Sequence, residues 1–313
     1  MTAPETCAIC GSSLIPPWFA IVNDYITGDA FSVRRCETCR FGQTIPLPED
    51  LGKYYPQKYR RYHPLIVKLL VIFYQIRVKR WLTRFTAKGD MLEIGSGGGV
   101  MLDLFQKRGW RVLGTERTEA TARIAREQFG VDVLSGGLEA VDPAKKFDLI
   151  LLVQVLEHLE NPVATIKAAA AKLKPDGRLI VGVPNFLSWQ ARFGGNTWFH
   201  LDVPRHLGHY ARPSLEILMK QAGLRIESCS YISPEHDPYG WVQSVLNRVD
   251  ARQNRLTRLL MGLDRPDAAN LLHLALGCLI GIAAVPLSLV SWAAQRGALI
   301  EVTCVAEGSR ATN

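Results

Sequence analysis

No basic start followed by an apolar run opens this chain, whose first residues are Met1-Thr2-Ala3-Pro4-Glu5-Thr6-Cys7. A secretory signal is therefore not expected, and a reducing, cytosolic setting is. Neither the charge nor the hydrophobic content, 21% and 48% of residues, is of the kind that keeps a chain disordered. One long stretch has no charge at all: Asp, Glu, Lys and Arg are missing between Asp267 and Arg296. What the chain has in excess is positive charge, net +8 with a pI near 9.2. That balance suits nucleic acid, anionic lipid or a phosphorylated substrate, and alone it separates none of them. The 313 residues allow one substantial core plus a small accessory module.

Four of the seven cysteines form two pairs, Cys7-x-x-Cys10 and Cys36-x-x-Cys39, each in a turn (Cys10-Gly11 and Cys39-Arg40-Phe41-Gly42). In a reducing setting they read as four thiolates around one structural zinc, the paired knuckles of a zinc ribbon over 1–45, rather than as two disulfides. Metal would supply the folding free energy that so small a module lacks. Cys229, Cys278 and Cys304 stand alone in apolar contexts and read as small hydrophobes.

The apolar run Met91-Leu92-Glu93-Ile94 leads into Gly95-Ser96-Gly97-Gly98-Gly99, and Glu116 closes the next expected strand, Arg111-Val112-Leu113-Gly114-Thr115-Glu116. Glycines after a strand let a ligand lie against bare peptide, and an acid about 20 residues on is placed to hold ribose hydroxyls. A dinucleotide loop aims a helix N-terminus at a pyrophosphate, beside which Glu93 would be unfavourable. A cationic ligand without phosphate tolerates that acid.

These residues resemble class I S-adenosylmethionine (SAM)-dependent methyltransferases, whose first motif is an acid, one residue and Gly-x-Gly-x-Gly. The block Phe147 to Val153, Gln154, Glu157-His158 and Asn161-Pro162 is similar to the fourth-strand motif of that family, above all the ubiquinone-biosynthesis O-methyltransferases. The resemblance implies a doubly wound α/β sheet of order 3-2-1-4-5-7-6 with its last strand antiparallel. It also implies a SAM site from Glu93, Gly95, Ser96, Gly97 and Gly99 at the methionine end, Glu116 on the ribose, Gly137 and Leu138 beside adenine, and Gln154 near the methionine moiety.

On the acceptor side, Glu157, His158 and His206 are the candidate catalytic residues. For His158 a general base, a structural contact and a metal ligand are all open; an imidazole accepts a hydroxyl proton readily near neutral pH. Resemblance implies substrate-facing roles for Arg205 and His206, while the alternative is that Arg205 and His209 tie their loop to the sheet. Small-RNA 2′-O-methyltransferases hold a divalent ion with Glu-x-x-Glu-His and a later His. Here Gln154 replaces the first carboxylate, leaving Glu157, His158 and His206 or His209 for a weaker site.

Strands are expected at 90–95, 111–116, 131–134, 147–153, 178–184, 224–232 and 298–306, and a helix at 64–86 with apolar Leu69, Ile72 and Ile76 against cationic Arg77 and Arg80. The domain plan is a ribbon at 1–45, a tyrosine-rich segment and amphipathic helix at 46–88, the SAM-binding core at 89–232, a helical insertion at 233–297, and a last strand and tail at 298–313. Tyr54, Tyr55, Tyr59 and Tyr62 read equally well as a lid or as a surface loop. The uncharged segment 268–295 is long enough to cross a bilayer, but crossing would leave the last strand on the far side from its sheet. The favoured expectation is two short helices, broken at Gly277, Gly281 and Pro286, that dip into the inner leaflet and return; a buried pair or dimer interface and a true span are the alternatives. Function then reads as methylation of a small-molecule or lipid-linked acceptor, with nucleic acid unlikely because the basic residues cluster beside apolar helices, and a noncatalytic SAM-binding adaptor as the remaining class.

Overall fold

From residue 89 onward, alternating apolar runs and amphipathic segments build a seven-stranded sheet in the computed structural model, which describes residues 6–55 and 64–309, with the side chains of 64–67 outside that set. Its strands are β4 (Asp90–Ile94), β5 (Arg111–Glu116), β6 (Val133–Ser135), β7 (Phe147–Val153), β8 (Leu173–Pro184), β10 (Leu224–Ser230) and β11 (Leu299–Ala306). They lie in the order β10-β11-β8-β7-β4-β5-β6, with β11 antiparallel to both neighbours and β4, β5, β6, β7 and β8 parallel to one another. This is the expected 3-2-1-4-5-7-6 order. The central strands carry near-continuous aliphatic runs such as Leu149-Ile150-Leu151-Leu152, all fully buried, as a sheet covered on both faces requires.

Covering helices are α1 (Pro64–Leu82), α2 (Val100–Gln106), α3 (Glu119–Phe129), α4 (Pro162–Ala171), α5 (Trp189–Gly194) and α6 (Arg212–Gln221). Asn161 starts α4, its side chain accepting from the Ala164 amide with Pro162 in the first turn. Pro175-Asp176-Gly177, residues typical of turns, lie inside β8, where the register with β7 slips between Phe147 and Leu149. One expectation changes. In α1 the polarity is turned around: Leu69, Ile72 and Ile76 are exposed, whereas Arg77 is buried between Glu235 and Glu301, 2.8 Å from each. Two carboxylates buried beside β11 need a cation, and that need orients the helix.

The amino-terminal strands β1 (Leu14–Asn23), β2 (Ala30–Cys36) and β3 (Gly42–Ile45) form an antiparallel sheet whose fourth strand, β9 (Gly208–His209), comes from the loop after β8. Phe41 and the cysteines share one buried cluster with Tyr210, Leu215 and Met219 of the larger unit. Arg205 is ion-paired to Asp24 across the same junction.

After β10 come α7 (Asp237–Val249), α8 (Arg255–Leu260) and α9 (Ala268–Ala293). The expected pair of short helices is corrected here, because α9 is a single helix of 26 residues running through Gly277, Gly281 and Pro286. The glycines serve close packing, not a break. A Cβ on Gly277 would stand 3.0 Å from Leu256 Cδ2 and 3.4 Å from Val242 Cγ1. A mid-helix proline costs about 3 kcal/mol in isolation, and the packing of α9 along α7 and α8 offsets it. The tyrosine-rich segment is described only at Tyr54 and Tyr55; Tyr59 and Tyr62 lie outside the described residues.

Candidate active site

At the carboxyl end of β4 the chain turns through Gly95, Gly97 and Gly99, all at positive φ, before entering α2. Gly95 cannot carry a side chain: its φ is +69°, and a Cβ would lie 2.6 Å from Val155 Cγ2. A Cβ on Gly97 or Gly98 would meet nothing within 4 Å, so this peptide faces open space. The loop is stitched to β5 by the Ser96 amide donating to the Thr115 carbonyl at 2.9 Å. Its next amide, on Gly97, donates to Glu116 Oε2 at 3.1 Å. Bare peptide and the carboxylate that ends β5 are therefore neighbours.

The other residues expected on this side gather at the same edge. Gly136 donates its amide to the Glu116 carbonyl at 2.9 Å, which brings Gly137 and Leu138 up beside β5. Gln154 follows β7 with φ +57°, a left-handed setting for a residue with a side chain, and its buried Nε2 has no partner among the described residues. Ligands in open α/β sheets bind at these carboxyl ends. Val155, the wall behind Gly95, was not singled out from the sequence; its only signal is that it directly follows Gln154. A hollow of about 490 Å³ beside Trp110, Arg111 and Asp132 lies at the amino-terminal ends of β4 and β5, on the wrong edge for such a ligand.

The single turn Leu156–His158 follows β7. His158 Nδ1 lies 2.8 Å from the Arg205 carbonyl and 3.2 Å from the Tyr55 hydroxyl. Only an Nδ1–H can serve the carbonyl, so Nε2 is the proton-accepting nitrogen of the neutral ring. His206 is held in the same manner, Nδ1 donating to the His200 carbonyl at 2.9 Å, and the two imidazoles stand edge to face with centroids 4.8 Å apart. Donor atoms of Glu157, His158 and His206 all lie within 4.8 Å of one another, so the three candidate catalytic residues form one cluster.

Arg205 is corrected from its implied substrate-facing role. It is fully buried, pairs with Asp24 and Asp202 at 2.7 Å each and donates to the Tyr54 carbonyl. His209 is bound to Thr44 Oγ1 at 2.9 Å, and burial pushes its imidazole down to about 3, so it is neutral. Both residues tie the loop to the amino-terminal sheet. Tyr55 joins the site from that sheet's side, beneath Arg117 and against His158.

The sequence model described as a methyltransferase domain matches residues 72–229, half of the chain. The chain belongs to the methyltransferase-domain family. Among curated relatives, the ubiquinone biosynthesis O-methyltransferase of Rhodopseudomonas palustris (strain BisA53) is 27% identical over 154 residues, covering 43% of this chain and 60% of the relative. That of Coxiella burnetii (strain RSA 331) is 28% identical over 173 residues, covering 51% and 74%. The chain thus spans about three-fifths of the length of the first of these relatives. Among solved structures, a SAM-dependent methyltransferase from Archaeoglobus fulgidus aligns over 75% of this chain and 93% of its own, with 18% identity and a TM-score of 0.48.

Among the described residues, two groups could hold a metal. Cys7 and Cys39 have their sulfurs 3.5 Å apart, Cys10 and Cys36 3.4 Å, and all four lie within 4.8 Å of one another. These spacings are far beyond a disulfide bond and close to the roughly 3.8 Å edge of a tetrahedron with 2.3 Å zinc–sulfur bonds. Glycine at 11 and arginine at 40, both at positive φ, turn the two knuckles. Glu157, His158 and His206 are the second group, and the geometry leaves the metal-ligand reading of His158 beside the general-base one.

Glu93 carries a pH signature. Burial first, and the Glu116 carboxylate second, push its carboxyl up to about 8, and its Oε2 has no partner among the described residues. A cation docked beside it would favour the ionised form, so binding of SAM there would release a proton. SAM affinity should rise with pH up to about 8, by at most about tenfold per unit, and level off above. Because the folded-state pKa is the raised one, the ligand-free protein loses stability as pH rises from the ordinary 4.5 to about 8. Calorimetric titration across pH should show this slope in the native chain and a flat profile in Glu93→Gln.

Proposed function

We propose that the chain transfers the methyl group of SAM to a hydroxyl of a small-molecule acceptor, a glycan precursor, nucleotide sugar or lipid-linked intermediate, at the cytoplasmic face of a membrane. The observation that carries this reading is the hydrogen bond between the Gly97 amide and Glu116 beside open space, one strand away from the Glu157, His158 and His206 cluster. SAM brings an already activated methyl group, so the protein's task is alignment and removal of one proton.

In this reading Glu116 holds the ribose hydroxyls and the 95–99 peptide accommodates the methionine end. Glu93 and Gln154 face its polar groups, and Gly137 and Leu138 border the adenine. His158, oriented through Nδ1 by the Arg205 carbonyl, takes the acceptor proton at Nε2, while Glu157 and His206 shape the surface against which the acceptor docks. Cys7, Cys10, Cys36 and Cys39 hold a structural zinc that leaves no coordination position for chemistry.

Labelled methyl transfer from SAM into lipid, sugar-nucleotide and RNA fractions tests the proposal. Label is expected in a lipid or sugar fraction, with His158→Ala slowing transfer by about 10²–10⁴ at nearly unchanged SAM affinity. Label appearing only in RNA would overturn the choice of acceptor.

A further inference from the structure

Helix α9 is built inside out. The side it turns toward the protein is small or polar: Asn270, Gly277, Ala284, Ser288 and Ser291 are its buried residues. Its large aliphatic side chains point away, Leu279 65% and Ile282 74% exposed, with Leu271, Leu272, Val285 and Leu289 all more than half exposed. Soluble proteins rarely leave so long an apolar strip uncovered.

Both ends of the helix are fastened to the same body. Near its start Asn270 donates to the Arg265 carbonyl at 2.7 Å, and His273 Nε2 lies 2.9 Å from Asp250. At its end the Trp292 indole donates to Asp237, at the first residue of α7. Between these points Gly281 and Gly277 lie against Val242, so the antiparallel partner α7 follows α9 along much of its length. At about 1.5 Å per residue, α9 could span a bilayer but the 13 residues of α7 could not. The connection between them carries Arg252, Arg255, Arg258 and Asp264, charges that a crossing hairpin would leave in hydrocarbon.

Cations sit around the strip while none interrupts it. Arg265 precedes the helix and Arg296 follows it, both exposed. A hollow of about 310 Å³ where the helix ends is lined by Arg296, Gln295, Tyr231 and Arg212, the last also paired to Glu216. On neighbouring α5, Trp189 and Phe193 are exposed and Arg248 of α7 lies over the Phe193 ring. An apolar strip with aromatic and arginine edges matches the chemistry of an anionic bilayer surface.

We propose that α9 docks flat on an anionic phospholipid surface, its leucine face in the outer acyl region and its arginines among the headgroups, neither crossing nor re-entering the leaflet. This deepens the membrane side of the proposed function. The other side of α7 meets the acceptor loop, Tyr239 against Phe199 and His236 against His200. Docking therefore places the histidine loop about two helix layers, on the order of 10–20 Å, from the membrane-facing side of α9.

The test uses the full chain with its metal and two vesicle types, phosphatidylcholine alone and phosphatidylcholine with phosphatidylglycerol. Flotation should favour the anionic vesicles by about tenfold or more and weaken with salt. Leu279→Asn with Ile282→Asn, at two exposed positions, should abolish flotation while SAM binding by calorimetry stays unchanged. That control separates failure of docking from failure of the methyltransferase reading. Spin labels at Cys278, Ala268→Cys and Ala293→Cys should report one shallow depth; a depth gradient along the helix would overturn the flat orientation. No flotation on either vesicle, with a dimer that the double variant dissociates, would assign the strip to a second copy and overturn the proposal.

Discussion

Exchange of Cys36 for serine is expected to strip the zinc from the chain and to take most of the methyl transfer with it, while leaving SAM affinity within a few-fold of native. Four thiolates closing on one ion contribute a large share of the folding free energy of a module this small, on the order of 10 kcal/mol in isolated zinc-binding peptides. Here the consequences reach further, because the amino-terminal sheet is completed by β9 from the loop that carries Arg205 and His206. Thr44 on β3 donates its hydroxyl to the His206 carbonyl at 2.6 Å and its amide to the Leu207 carbonyl at 3.0 Å. The Arg205 carbonyl that orients His158 belongs to the same loop, and Arg205 is anchored on Asp24. Loss of the metal thus releases both imidazoles, whereas the glycine loop on β4 and β5 has its own hydrogen bonds. Metal analysis, calorimetry with SAM and a methyl-transfer assay on the same preparation separate the two halves of this expectation. Equal loss of binding and turnover would mean general unfolding instead.

Glu116→Ala should do the opposite, lowering SAM affinity by about 50-fold without lowering stability. Hydrogen bonds from two ribose hydroxyls to a carboxylate contribute roughly 2–3 kcal/mol together. Without ligand, the Glu116 carboxylate accepts from the Gly97 amide at 3.1 Å and from the exposed Thr118 amide at 3.2 Å, and water can replace it at both. Truncation also brings a relief: the Glu116 charge is one of the two causes that raise the Glu93 carboxyl, so its removal eases a buried acid. Thermal unfolding of the variant should match or exceed the native midpoint, and Glu116→Gln, which keeps an acceptor without charge, should fall between the two in affinity.

The sheet was legible because its signals are local. Aliphatic runs fully buried on both faces point to a sheet covered on both sides, and a glycine at 95 that would strike Val155 if it had a Cβ is visible as a glycine in any reading. Asn161-Pro162 announced α4 for the same reason: cap and first turn are adjacent in the chain. What stayed hidden depends on partners distant in sequence. Arg205 looked like a substrate ligand because its partner, Asp24, is far upstream in the chain. Arg77 is drawn inward by Glu235 and Glu301, which reverses the face that hydrophobic periodicity alone assigned to α1. In α9 the glycines and proline read as breakers, yet Gly277 marks where Val242 and Leu256 approach. The pairing of β9 with β3, which ties the cysteine module to the loop that carries His206, has no sequence signature at all.

The central claim is that the peptide around Gly97, facing Glu116, receives SAM. Calorimetric titration of SAM into the 313-residue chain at pH 8 tests it most directly. One site per chain is predicted, with a dissociation constant comparable to the about 1 µM to 1 mM range of enzyme KM values and binding about 50-fold weaker in Glu116→Ala. A native protein that gives no binding signal with SAM at millimolar concentration, or one whose binding is unchanged by Glu116→Ala, would contradict it.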